Sequence, residues 1–581
     1  MTYHYPSKNN FDLRPCIVVN DKKEDVIVGN SNLAELIKNQ IKQGNRIFVY
    51  DLYPGVDKES LISLLRGLNH KLLIDTDTCK RSEDELYRMF DQNITDDRVF
   101  GYMVSGRLES CFDENKVAQV KSLLEQNKNE VIFIIGVGAS LFAKADVHYY
   151  FDVTRWEIQL RFRKGSPNWL FNNPDAPVLT KYKIGFFVEW RLADTHKEEN
   201  FASVDYWVDA NISSELKAID KKSFYAAFEK ISKEPFRMEP YFDKSVWGGQ
   251  WMKNMLGVDG DEENYGWSFD GVPEENCVRF SFGGNTVVFP ALNLVKLFPR
   301  ELLGDKVYNA YGADFPIRFD MLDTFEGGNL SLQVHPTRDY IKNTFGVKNY
   351  TQDESYYILD ATENSCVYIG LKEGIDKEAM IADLEAANRG EIMFDAEKYV
   401  NKIPVKKHDH VLIPAGTVHC SGKDTHVLEI SVTPYIFTFK LWDWGKIGLD
   451  GLPRPVHINH GKKNIKWERD TKWVLNNLIH QEKVLHKDEH CLIERTGLHE
   501  YEMIDTLRYT FDENAEITLN DSVAVINLVE GTEAFIKSVD GSWEPKIMHY
   551  CETFIIPAHV KKFIIESPKK ETLRVIVATI R

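Results

Sequence analysis

The spacing of apolar and polar positions changes along the chain. Over roughly the first 230 residues, short apolar runs alternate with stretches of helical period. Ile47 to Leu52 reads as a strand ending at Tyr53-Pro54-Gly55, and Lys58 to Leu68 as a helix. Lys71 to Asp75 reads as a second strand. Ser82 and Glu85 have the spacing of a capping box that opens the next helix. Val131 to Ile135 is apolar at every position, the pattern of a strand buried on both faces, and a turn follows at Gly136-Val137-Gly138-Ala139-Ser140. Strand, helix and strand in this order predict a parallel sheet covered by helices.

From about residue 240 the runs shorten and Gly, Pro, Asn and Asp turns separate them. Lys230 to Pro240, with Pro235 and Pro240, marks a boundary at which cutting should be tolerated. One helix interrupts the β pattern: Lys377 to Asn388 places Met380, Ile381, Leu384 and Ala387 on one face. The last stretch is almost all β: Val523 to Leu528, Ala534 to Val539, an Asp540-Gly541 hairpin turn, Thr553 to Ile556 and Leu573 to Ile580. The expected fold is an α+β multidomain chain. An α/β domain with a parallel sheet over 1–235 precedes two β-barrels, 236–470 with the helical insertion and 471–581.

Composition narrows the function. Hydrophobic residues make up 43% of the 581, too many for a disordered chain. Lys and Arg number 71 against 88 Asp and Glu, a net charge of −17, which argues against nucleic acid as a partner. Met1 to Pro6 lacks the charged and apolar regions of a signal peptide. The most apolar stretch, Val131 to Ala143, has 13 residues, short of the roughly 20 that span a bilayer. The eight Cys are scattered singly, without a C-x-x-C pair. A cytoplasmic protein with no membrane contact is expected.

Two motifs carry chemistry. In Leu330 to Pro336, Gln333 and His335 are two apart and would project from one face of a strand, with Leu332 and Val334 on the other. In Ile413 to His419, the P-x-G-x-x-H form places a tight turn before His419. Between them Glu354 opens an apolar strand. Gln333, His335, Glu354 and His419 together make a candidate site for one divalent metal. Two imidazoles and a carboxylate suit zinc first, then iron, manganese or cobalt, with positions open for water or substrate. His408 and His410 form a weaker H-x-H candidate. His426 reads as a solvated strand residue, and Trp247, Trp251 and Trp267 as core.

Leu330 to Pro336 and Val411 to Gly422 resemble the metal motifs of the type I phosphomannose (mannose-6-phosphate) isomerase family of the cupin superfamily. Lys244 to Gly249 resembles that family's K-x-x-W-G-G, and Leu441 to Trp444 its Y-D-W segment. The resemblance covers about residues 237 to 460 and extends more weakly to 581. It implies a metal-dependent aldose–ketose isomerisation, mannose 6-phosphate to fructose 6-phosphate through a cis-enediol, with a sugar phosphate as substrate. Arg454, at the R-x-x-H position, and Lys440 are the implied substrate-contacting residues. Gln352 and Asp320 stand where the family carries Lys, and Lys440 where it carries Arg. Those departures raise the alternative of a non-catalytic, metal-binding carbohydrate-sensing or scaffolding protein. Ile555 to Val560 echoes the second motif without its Gly and final His, so the last barrel is expected to be a metal-free cupin.

In the first domain Gly55 to Ser60 follows a strand and opens a helix, where a phosphate-binding loop would sit, but G-x-x-x-x-G-K-[ST] is absent. With Arg155, Arg161 and Arg163, which resemble the Arg-bearing lid of small-molecule kinases, it resembles a degenerate P-loop kinase domain.

Overall fold

The computed structural model describes residues 10–581 other than 259, 348, 349, 434, 435, 449, 450 and 452. Met1 to Pro6 therefore lies outside the described residues. The protein is a mixed α/β chain with six sheets among the described residues. Two compact units divide it. The first holds Cys16–Lys230 and Glu274–Phe298; the second holds Ile231–Pro273, Pro299–Arg581 and, of the N-terminal stretch, residues 10–15.

In the first unit the central strand, Ile47–Leu52, is buried from Phe48 onward. It runs parallel to Ile132–Gly136 on one side and Val147–Asp152 on the other; Leu72–Asp75 and Tyr206–Asp209 lie beyond these, also parallel. Helix Lys58–Arg66 buries Leu61, Ile62 and Leu65 and is capped by Asp57, whose carboxylate accepts from the Ser60 amide. Helix Glu83–Ile94 opens with the reciprocal Ser82–Glu85 capping box.

The segment after the expected boundary departs from the sequence pattern. Strand Cys277–Phe282 pairs in parallel with Ile17–Asn20 and antiparallel with Asn285–Pro290, so this hairpin belongs to the first unit. The Asp209 carboxylate accepts from the Val288 amide at 2.8 Å and secures it. A cut at 235–240 would strip the hairpin of its partner strand, which corrects the expectation of clean separability.

The second unit contains two successive sets of sheets. The first set joins a six-stranded sheet, with Ile317–Asp323, Thr425–Val432, Glu354–Ala361 and His410–Ile413, to a five-stranded one with Leu332–Val334, His419–Ser421, Cys366–Leu371 and Phe439–Trp442. Helix Lys377–Asn388 is inserted here; it buries Met380, Leu384 and Ala387, and Asp376 caps it. The second set, a six- and a four-stranded sheet, encloses an apolar core including Phe511, Ile526, Ile536, Met548, Phe563 and Val575. No helix among the described residues is long and apolar enough to cross a membrane.

Candidate metal centre

Three short strands of the five-stranded sheet bring the two motifs together. Gln333 lies directly opposite His419 on one side and Lys440 on the other. Opposed residues share a face, so His419, Gln333 and Lys440 form a row across the sheet. His335 follows the end of its strand. Its carbonyl accepts from the Gly416 amide at 3.0 Å, tying the P-x-G turn to the Q-x-H strand. Gly416 sits at φ +92, and a Cβ there would lie 2.6 Å from Lys466 Cγ and 3.0 Å from Asn464 O. Only glycine fits that turn without strain. Asp353 Oδ1 accepts from the Ala415 amide at 2.7 Å, holding the loop beside Glu354.

His335, Glu354 and His419 converge, with one ligand atom from each within 4.8 Å of the others; this is the single such group among the described residues. His335 Nε2 is 2.9 Å from Glu354 Oε2, and His419 Nε2 is 2.8 Å from Glu354 Oε1. Gln333 Nε2 is 3.3 Å from His419 Nε2. The outer ring nitrogens face carbonyls: His335 Nδ1 is 3.2 Å from Phe437 O, and His419 Nδ1 is 2.9 Å from Thr417 O. A carbonyl can only accept, so each Nδ1 carries the proton and each neutral ring turns a bare Nε2 lone pair inward. Those lone pairs face carboxylate oxygens, and His335 Nε2 and Glu354 Oε1 make no hydrogen bond. Acceptors converging at such distances repel unless a cation lies among them. Turning the Gln333 amide over presents Oε1 at the same point, which completes an N2O2 donor set. The residues therefore fit a divalent ion.

Behind the ligands lies a polar interior that the motifs did not reveal. Register places Glu354, Ser431 and Arg318 in one row, and Tyr356, Glu429 and Asp320 in the row two residues on. Arg318 Nη1 is 2.8 Å from Glu429 Oε1 and 3.1 Å from Asp320 Oδ1. Both Asp320 oxygens lack a hydrogen bond, and burial pushes the carboxyl up to about 7. Gln352 Nε2 donates to Glu354 Oε2 at 3.1 Å. The available signal was polar residues at alternate positions of otherwise apolar strands, in Ile317–Asp323 and Thr425–Val432.

Arg454 is engaged by Asp443, Nη1 to Oδ2 at 3.0 Å. The structure pairs it there and brings it into no described contact with the four ligands. His408 and His410 do not form a chelating pair: His408 bonds the Tyr357 hydroxyl at 3.0 Å, and burial lowers both imidazoles to about 3. The expectation of a solvated His426 is corrected. It is fully buried and stacked on Trp251, ring centroids 3.9 Å apart, and burial lowers it to about 3. Trp247 and Trp251 are core.

A family model described as a domain of unknown function, DUF8485, matches residues 29–233. The mannose-6-phosphate isomerase of Streptococcus mutans serotype c is 29% identical over 229 residues, covering 39% of this chain and 66% of that protein. Mannose-6-phosphate isomerase ManA of Bacillus subtilis is 26% identical over 244 residues, 41% of this chain and 68% of that protein. The chain thus spans about two thirds of the length of the curated relatives it matches. Among solved structures, the mannose 6-phosphate isomerase of Bacillus subtilis has a TM-score of 0.48 at 20% identity over 60% of this chain and all of that one. A zinc-bound mannose 6-phosphate isomerase has a TM-score of 0.45 at 14% identity over the same shares.

Proposed function

We propose that the second unit is a metal-dependent aldose–ketose isomerase converting mannose 6-phosphate to fructose 6-phosphate, and that its share of 236–470, without the 274–298 segment, is a metal-binding cupin followed by a metal-free one over 471–581. The observation that carries this reading is the inward convergence of His335, Glu354 and His419, with the Gln333 side-chain amide 3.3 Å from His419 Nε2. The names of the relatives supply the substrate. Zinc suits the donor set, and when bound it would polarise the sugar oxygens. The chain's own part is to hold two imidazoles in one tautomer, through Phe437 O and Thr417 O, and to exclude bulk water from the interior. A proton leaves C2 of the aldose and one arrives at C1, so the reaction needs no oxidant and no second substrate. Lys440, in the row beside Gln333, and Arg454 are the proposed phosphate and enediolate contacts. A cytoplasmic location accords with this reading.

We read the first unit as a degenerate P-loop kinase-like fold, on the support of its parallel sheet and the loop after the central strand. One observation favours a second reading, a carbohydrate sensor that kept its metal: Gln352 and Asp320 occupy positions where the resembled family carries Lys. A coupled assay for fructose 6-phosphate on the zinc-loaded full chain decides between the two. Turnover supports the isomerase; saturable sugar-phosphate binding without turnover selects the sensor.

A further inference from the structure

A cavity of about 960 Å³ lies in the first unit at the carboxyl edge of the parallel sheet. Leu52, Asp77, Val137 and Asn211, each just beyond or at the end of a different strand, all line it. The chain runs from the central strand outward to Leu72–Asp75, returns through Ile132–Gly136, then crosses to Val147–Asp152 on the other side. The crevice at such a reversal is where open α/β sheets bind ligands, and the volume suits a small molecule.

The anion position of this crevice is filled from within. Asp57 caps the helix, its carboxylate accepting from the Ser60 amide at 3.2 Å and the Ser60 hydroxyl at 2.6 Å. The Gly55 carbonyl accepts from Arg161 Nη1 at 2.7 Å, which fixes the loop against that guanidinium. Lys58 is held by Asp75 at 2.8 Å and by Asp77. Arg161 also pairs with Glu157, Lys80 donates to Trp169 O, and Arg81 donates to Ser110 O. Every cation lining the cavity thus has a protein partner, and four cations face five carboxylates. A phosphate entering here would meet the Asp57 carboxylate in a lining with one more carboxylate than cations, with Lys58 and Arg161 already paired to carboxylates, so a nucleotide is disfavoured. What remains is chemistry for hydroxyls: Asp77, steadied by the Trp169 indole N–H at 2.7 Å and by Lys58, and Glu83, which accepts from the Asn172 amide, keep second lone pairs on their carboxylate oxygens beside the apolar edges of Trp169 and Phe171.

We propose that this cavity binds an uncharged, hexose-sized polyhydroxylated molecule, at a site separate from the metal centre. The test is isothermal titration of the full chain, stripped of metal with a chelator so that the metal centre adds no sugar binding. D-mannose and D-fructose are the neutral probes; magnesium-ATP and pyrophosphate are the charged ones. One of the hexoses should bind with a millimolar dissociation constant, and neither charged probe should bind. Asp77→Asn and, more mildly, Trp169→Phe should weaken hexose binding, the first by at least about 10-fold, on the order of 1.4 kcal/mol. Asp57→Gly should preserve hexose binding and create pyrophosphate binding by opening the helix terminus. Hexose affinity unchanged in both Asp77→Asn and Trp169→Phe, absence of hexose binding, or magnesium-ATP binding to the unaltered chain would each overturn the proposal.

Discussion

Gly416→Ala probes whether the P-x-G turn positions the metal ligands. At φ +92 an Ala at 416 takes on about 1–2 kcal/mol of left-handed strain. The new Cβ also lies 2.6 Å from Lys466 Cγ and 3.0 Å from Asn464 O. The lysine side chain is exposed and can swing away, but the Asn464 carbonyl is backbone and resists. Relief by shifting the turn would stretch two bonds, Gly416 N–H to His335 O at 3.0 Å and Lys466 N–H to Gly416 O at 2.9 Å, each contributing about 1 kcal/mol. The sum is a loss of roughly 3–4 kcal/mol, or several degrees in melting temperature for the unit concerned. His419 lies three residues on and His335 is tied to the same turn, so metal affinity should fall about 10- to 100-fold. Gly390→Ala is the control: φ is +77 with nothing within 4 Å of the added Cβ, so only the backbone strain applies. Calorimetry and metal analysis at limiting zinc measure both. Equal melting temperatures and equal metal occupancy for the two variants would refute the claim that this contact sets the ligands.

Replacing both His335 and His419 by Ala should abolish stoichiometric metal, read by elemental analysis of the purified chain. Ligation needs unprotonated imidazoles, so acidification should release the metal, followed with a chromophoric chelator. Burial pushes Asp320 up to about 7, above an unfolded carboxyl near about 3.9. The native state keeps that proton longer, so its stabilising effect is complete below pH about 4 and lost as pH rises through about 7. Asp320→Asn should flatten this slope, and parallel melting curves for the two proteins at pH 5 and 8 would count against it. Arg454→Ala should lower kcat/KM at least about 100-fold, on the order of 2.7 kcal/mol, with metal retained, while Lys440→Ala should act mainly on KM; steady-state kinetics distinguishes these from no effect. A fragment from 236 to 581 should aggregate, because Cys277–Phe282 loses its pairing with Ile17–Asn20; light scattering checks it.

Much of the local structure was legible in the residues. The Ser82–Glu85 capping box, the helix Lys377–Asn388 and the strands Thr553–Ile556 and Leu573–Ile580 follow from hydrogen bonds and periodicities closed within a few residues. The candidate ligands were legible for a related reason. A two-residue spacing on a strand and a glycine turn before a histidine constrain direction locally, whatever the remaining fold.

Tertiary structure decided what local periodicity does not encode. Hairpin 277–290 reads like the β segments that follow it, yet it pairs with Ile17–Asn20, some 260 positions earlier. His426 alternates like a solvent-facing residue, but its strand has neighbours on both sides, Ile317–Asp323 and Glu354–Ala361, and Trp251 covers the ring. The Arg318–Asp320–Glu429 cluster exists only because register aligns three strands distant in sequence. Asp57 reads as an ordinary helix cap, and only the folded sheet shows that its carboxylate fills the position an incoming anion would need. Backbone preferences and side-chain period act over a few residues, whereas strand register and burial are set by pairing across the whole chain.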